Sequence, residues 1–93
     1  MASTSLGRVL QIYLMASYLY YHLSKSVMED EQYDKLARIL KNHWTEFEHQ
    51  HKHLVTLSDL EAGTLYGLKA SDYPGMVVGG ALLMLDEYER GLL

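Results

Sequence analysis

The 93-residue sequence predicts an all-α fold: a small bundle built on an antiparallel helical hairpin, with a short third helix and a C-terminal fourth helix. Three observations carry this. Tyr33, Leu36, Ala37, Leu40, Trp44 and Phe47 recur at intervals of three and four, the spacing of one helical face. Between Val9 and Leu23, apolar side chains cover so much of the helix girth that the segment belongs at the centre of the fold. The polar turn from Lys25 to Glu29 is short enough to make the two helices antiparallel neighbours.

Residues 1–93 read as a single helical domain with one modest core. The net charge is -4, and only Arg8 and Lys25 are basic before residue 35. Phosphate contacts need clustered Lys and Arg, so direct nucleic-acid binding is not expected. The absence of cysteine rules out disulfides and Cys-based zinc sites and favours a reducing, cytoplasmic setting. Gln11, Ser17 and His22 interrupt the apolar run from Val9 to Leu23, which is also shorter than the ~20 residues of a spanning helix. Met76 to Leu85 is shorter still, and no signal-peptide cleavage pattern follows Arg8. No membrane association is expected.

Residues 1–4 are expected to be a loose lead-in, with the first helix running from Ser5 to Ser24. Val9, Tyr13, Ala16, Tyr20 and Leu23 lie along one side, extended by Leu10, Leu14, Ser17 and Tyr21. Arg8, Gln11, Met15 and His22 fall nearer the opposite edge; His22, beside Tyr21, could contact a ligand phosphate, but its position favours an exposed residue on the back of the helix. Each of the four tyrosines here (13, 18, 20 and 21) needs a hydroxyl partner or a route to water.

Asp30 suits the N-cap of the second helix, with Glu29, Glu31 and Asp34 adding negative charge at its positive end. Lys35, Arg38, Lys41, Asn42, Glu48 and Gln50 form the wet face, and the helix is expected to reach about His51. His51 to Leu57 connects onward, anchored by Leu54, Val55 and Leu57. Ser58-Asp59-Leu60-Glu61 matches a capping box for a short third helix, weakened by Gly63 and stopped by Gly67. Lys69 to Pro74 reads as a loop. Pro74 then takes the first helical position, capped by Ser71 or Asp72. The last helix, to about Arg90, is expected to bury Val77, Val78, Ala81, Leu82 and Leu85, with Tyr88 at the margin. Gly75, Gly79 and Gly80 leave one flank bare, so that Gly75-x-x-x-Gly79 can pack against helix 1 or 2, or else against a second chain.

The corner between helices 1 and 2 gathers Tyr20, Tyr21 and Tyr33 beside Asp30 and Asp34. Rings facing carboxylates suit a flat, polar ligand, and they suit equally the corner of a small helical core. Tyr20-Tyr21, eight residues, then Asp30-Glu31-Gln32-Tyr33-Asp34-Lys35-Leu36 resembles the N-terminal Ia domain of NAD-dependent DNA ligases. That family shows Tyr followed by Tyr or His, eight residues, and Asp-x-x-Tyr-Asp-x-Leu; Tyr18-Leu19 ahead of the run is also similar. The match is limited to about residues 18–36.

The resemblance implies recognition of the nicotinamide mononucleotide half of NAD. Tyr20 and Tyr33 would flank the nicotinamide, Tyr21 would lie near the phosphate, and Asp30 and Asp34 would bind ribose hydroxyls or the carboxamide. A cationic ring favours tyrosine faces and nearby carboxylates. Ser24 and Ser26 replace the acidic residue and proline of the family's turn. The family's Lys-x-Asp-Gly nucleophile motif is missing: Lys69-Ala70-Ser71-Asp72 has the wrong spacing and Tyr73 stands in place of glycine. A non-catalytic module is therefore expected, binding nicotinamide mononucleotide or NAD, or acting as an accessory to a ligase-type enzyme. The alternative is a small protein-interaction or inhibitor protein that uses the same hairpin as scaffold for a host partner, with association into a homo-oligomer open.

His43, Glu46, His49, His51 and His53 form a second cluster. Glu46-x-x-His49 has the spacing of helical di-metal sites, and His49 and His53 would share a face if helix 2 continued. Helix 1 offers no carboxylate to complete such a site, so no metal is expected and a metal-binding helical oligomer ranks third. No nucleophile elbow or phosphate loop is present.

Overall fold

The computed structural model describes residues 2–48, 51–62 and 67–91. Four α-helices follow one another: α1 (Ala2–His22), α2 (Asp30–Asn42), α3 (Leu57–Ala62) and α4 (Gly75–Glu89). Single 3-10 turns lie at Trp44–Glu46, Lys52–Leu54 and Ala70–Asp72, and no strand occurs among the described residues. The all-α class holds. α1 packs against both α2 and α4, and α2 packs against α3. Ala16 and Tyr20 of α1 meet Asp30 and Tyr33 of α2, whereas Ile12 lies with Leu36 and Ile39. Partners move back along α1 as they move forward along α2, which is the antiparallel hairpin.

α1 begins at Ala2, so residues 2–4 continue the helix and are not a lead-in. It stops at His22. The Leu23 and Lys25 amides both donate to the Leu19 carbonyl, at 3.2 and 2.8 Å, and Ser24 takes a left-handed φ of 56°. This closes the last carbonyls of the helix as a glycine usually does. Leu10, Tyr13, Leu14, Ser17 and Leu19 are fully buried, while Tyr20 is 55% exposed. The expected stripe through Val9, Tyr20 and Leu23 is thus displaced toward Leu10, Leu14 and Ser17. α1 has two helical neighbours, and the face between them is the one covered.

Glu29 caps α2, where Asp30 was expected to do so; the Glu29 amide donates to Gln32 Oε1 at 3.0 Å, and Asp30 is the first helical residue. α2 ends at Asn42, nine residues before His51. Asn42, His43, Trp44 and Thr45 all belong to the weaker helix formers. The 3-10 turn that follows lets Trp44 and Phe47 meet edge to face at 5.6 Å, beneath the Lys52 ammonium. Lys52 also donates to the Phe47 carbonyl at 2.7 Å.

The cap of α3 lies two residues before the expected Ser58. The Thr56 amide donates to Asp59 Oδ2 at 3.0 Å and the Asp59 amide to Thr56 Oγ at 3.1 Å. α3 ends at Ala62; Gly63 lies outside the described residues. Pro74 is the N-cap of α4 and Gly75 its first residue. Asp72 accepts from the Lys69 amide at 3.0 Å, capping the preceding turn and not α4. Of the residues expected in α4's buried face, Val77 and Ala81 are buried, whereas Leu82 and Tyr88 are exposed. Among the described residues Gly75 and Gly79 meet nothing, so the close contact with helix 1 or 2 is not made at these positions. Gly80 makes it: a Cβ there would meet Met15 Cε at 2.8 Å.

The main core joins Leu6, Leu10, Tyr13 and Leu14 to Ala37, Leu40, Phe47, Val55, Leu60, Tyr73 and Val77. A smaller cluster of Leu19, Val27 and Ala81 anchors the α1–α2 loop against α4. No described helix is long and apolar enough to cross a membrane.

Candidate functional site

A cleft of about 260 Å³ opens at the α1–α2 corner. Its walls are Ala16, Tyr20 and Tyr21 from α1, Asp30, Tyr33 and Asp34 from α2, and Ser26, Val27 and Met28 from the loop between them. All five residues singled out by sequence therefore line one concavity. Helical spacing explains it: Ala16 and Tyr20 are one turn apart on α1, and Asp30, Tyr33 and Asp34 occupy i, i+3 and i+4 on α2. The loop is held down by buried Val27 and by the Ser26 hydroxyl, which donates to the Met28 carbonyl at 2.9 Å.

Tyr33 is the most constrained wall. Its ring stacks on buried Tyr13 with centroids 4.7 Å apart and planes 19° from parallel. The Ser17 hydroxyl donates to the Tyr13 carbonyl at 2.8 Å, which uses its single proton. Tyr33 must then be the donor in its 2.5 Å bond to Ser17 Oγ. One ring face is covered by Tyr13, the hydroxyl is committed to Ser17, and the residue also lines the cleft. Burial, assisted by nearby Tyr21 and Asp34, pushes the Tyr33 phenol above the ordinary tyrosine value. It stays neutral at physiological pH.

Tyr20 and Tyr21 meet edge to face at 4.9 Å, and Tyr20 is the more exposed of the two. The expected burial of Tyr20 is thus corrected: its ring stands in solvent at the cleft mouth. Asp30 and Asp34 are exposed, and neither has a hydrogen bond or ion pair among the described residues. Because Glu29 takes the capping position, Asp30 is released from the role assigned to it. Carboxylates beside aromatic rings, with no cationic partner among the described residues, are groups suited to a flat cation.

His22 is not the exposed residue that its helix position implied. Its Nε2–H donates to the Leu68 carbonyl at 2.9 Å, and its ring lies 5.8 Å from Tyr18 and 5.4 Å from Tyr73. It closes the opposite side of α1 and does not line the cleft. Sequence reasoning missed the backing pair, Tyr13 and Ser17, as a support for Tyr33. The available signal was a serine on a buried stripe, since a buried hydroxyl needs a partner.

The histidine cluster is dispersed. His43 Nδ1 and Glu46 Oε2 pair at 2.9 Å within a half-exposed 3-10 turn, His51 is buried and His53 is exposed. The continuous helix that would have aligned His49 with His53 stops at Asn42, and His49 lies outside the described residues. Among the described residues no group of three or more His, Asp or Glu side chains could hold a metal ion. Comparison with protein-family models, curated proteins and solved structures yielded no match to this chain.

Proposed function

We propose that the chain is a non-catalytic helical module that binds the nicotinamide end of nicotinamide mononucleotide or NAD, alone or as an accessory to a ligase-type enzyme. The observation that supports this most is the convergence of Tyr20, Tyr21, Asp30, Tyr33 and Asp34 on one cleft, with neither carboxylate in an ion pair among the described residues. A volume of about 260 Å³ sits just below the ~300–1,000 Å³ of drug-sized sites, room for a ring and part of a sugar but not a dinucleotide. The lack of cysteine fits a cytoplasmic setting. Amide chemical shifts during titration with nicotinamide mononucleotide test the reading. Saturable shifts clustered at residues 18–36, weakened in Tyr33→Ala and Asp34→Ala, are expected. Absent shifts at millimolar ligand, or affinity unchanged in both variants, would sink it.

A second reading, a protein-interaction or inhibitor protein, is favoured by α4. Met76, Leu82, Leu83 and Tyr88 are all about half exposed or more on this helix. Surface of this kind suits a protein partner. Recovery of a stoichiometric partner that is lost on Leu83→Glu would support it; recovery of none would count against it.

A further inference from the structure

We propose that the outward face of α4 is a self-docking surface, on which a second copy of this chain lays its own α4 antiparallel. This rests on the second reading above, α4 as a protein-interaction surface, and names the occupant. From Gly75 to Leu83 the exposed positions of α4 are Gly75, Met76, Gly79, Leu82 and Leu83. None carries a charged or polar side chain, in a chain whose net charge is -4. A Cβ added at Gly75 or Gly79 would meet nothing within 4 Å, so the strip beside Met76 and the leucines is bare backbone. Such a strip lets a second helix approach closely and be filled by that helix's side chains.

Two observations favour a second copy over an unrelated chain. The first is size. The run Gly79-Gly80-Ala81-Leu82-Leu83 is small on one side of Ala81 and large on the other. In an antiparallel pair with its two-fold axis level with Ala81, each Leu83 falls opposite the Gly79 of the other copy. An isologous contact needs this self-complementarity, because one patch serves both sides. The second is charge. The first turn of α4 holds no acidic residue and Pro74 supplies no side-chain cap, whereas Asp86, Glu87 and Glu89 crowd the carboxyl end. Acidic groups suit the positive amino end of a helix, so α4 is charged against its own dipole. Arg90 pairs with Asp86 at 3.2 Å, and Glu87 and Glu89 have no ion pair among the described residues. In the antiparallel register Asp86 and Glu87 come level with Met76 and Gly75 of the other copy, at the amino end that suits them, and Arg90 comes level with Asp72. Moving the axis to Gly79 would set Asp86 level with Asp72, like charge against like. One helix face offers less than the ~800 Å² per partner of a standard interface, so the pair is expected to dissociate at or above about micromolar concentration.

Sedimentation of the full chain from about 1 μM to about 1 mM tests this. The mass is expected to rise from one 10.7 kDa chain to two. Gly79→Gln places a side chain where Leu83 of the other copy would sit and should weaken association by about tenfold or more. The Tm of the dilute chain should hold or rise in this variant, because the position is open in the monomer and glutamine is the better helix former. Leu83→Glu should abolish association, and Tyr20→Ala, at the corner cleft, should leave it unchanged. The chain has no cysteine, so introduced thiols report the orientation. Met76→Cys mixed with Asp86→Cys should give a disulfide-linked pair. Met76→Cys by itself should not, since like positions then lie about 15 Å apart, beyond the ~7 Å reach of a disulfide. A single-chain mass at the highest concentration, association undiminished in Gly79→Gln and Leu83→Glu, or self-linkage of Met76→Cys overturns the proposal. The broader reading of α4 as a partner surface fails separately, on the Leu83-dependent capture described above.

Discussion

The last turns of α1 carry aromatic residues to two sides with opposite outcomes. On one side Tyr18 and His22 close against Tyr73, edge to face at 5.2 and 5.4 Å, and the imidazole is tied to the Leu68 carbonyl. On the other, Tyr20 and Tyr21 stand beside Tyr33 with a cleft among them, lined also by Asp30 and Asp34, which have no ion pair among the described residues. The composition is nearly the same: tyrosines one or two residues apart on one helix. What differs is the opposing surface. The segment ahead of α4 brings a buried ring, which fills the space, while α2 brings Tyr33 already backed by Tyr13, which leaves space in front. An aromatic cluster becomes a candidate site only where its rings are held from behind and left open ahead.

The widest gap between the two sides should appear in stability. Tyr73→Ala, at a 5% exposed ring, is expected to cost about 3–5 kcal/mol, whereas Tyr20→Ala should stay within ~0.5 kcal/mol. Denaturant melts check the pair, and equal losses would break the distinction between a closed and an open side. Ser17→Ala strands the Tyr33 hydroxyl and should cost about 1–3 kcal/mol. It should also loosen Tyr33, seen as faster ring flipping by NMR, with the Tyr18–Tyr73 side unaffected.

Alkaline titration engages both sides. Burial raises the phenols of Tyr13, Tyr33 and Tyr73 above the unfolded value of ~10. Above that pH the unfolded chain gives up protons that the folded chain retains, so stability is fully present below ~10 and falls as pH rises further. Thermal melts from neutral to strongly alkaline pH should show this decline. Tyr73→Phe should soften it without lowering stability at neutral pH, because the Tyr73 hydroxyl is buried with no hydrogen-bond partner among the described residues. A small gain is expected at the junction between the two sides. Ser24→Gly relieves the left-handed φ and should stabilise the chain by about 0.5–1 kcal/mol, read as a raised Tm.

Much of the candidate site was legible because it is made of short-range geometry. The residues of α2 that line the cleft are set by helical spacing, and Tyr20-Tyr21 sits at the end of α1 whichever way that helix turns. The length of α2 was not legible. Trp44 and Phe47 continue the helical period, yet in the structure they meet through a 3-10 turn under Lys52, an arrangement that periodicity cannot distinguish from one more helical turn. Capping was misplaced at three helices for a related reason. Glu29 with Asp30, Thr56 with Ser58, and Asp72 with Pro74 each offer competing groups within two residues, and the path of the incoming chain chooses between them.

By itself the sequence determined the helical class, the order of the helices and the gathering of Tyr20, Tyr21, Asp30, Tyr33 and Asp34 at one corner. All of these follow from propensity, periodicity and the shortness of one turn. Only the tertiary structure decided which side of α1 is inside, because a helix apolar over most of its girth has no unique inner face until its neighbours arrive. α2 and α4 together cover Leu10, Leu14 and Ser17, turn Tyr20 outward, and put Tyr13 and Ser17 behind Tyr33. The cleft lies where that choice packed Tyr33 against Tyr13 and left Tyr20 exposed.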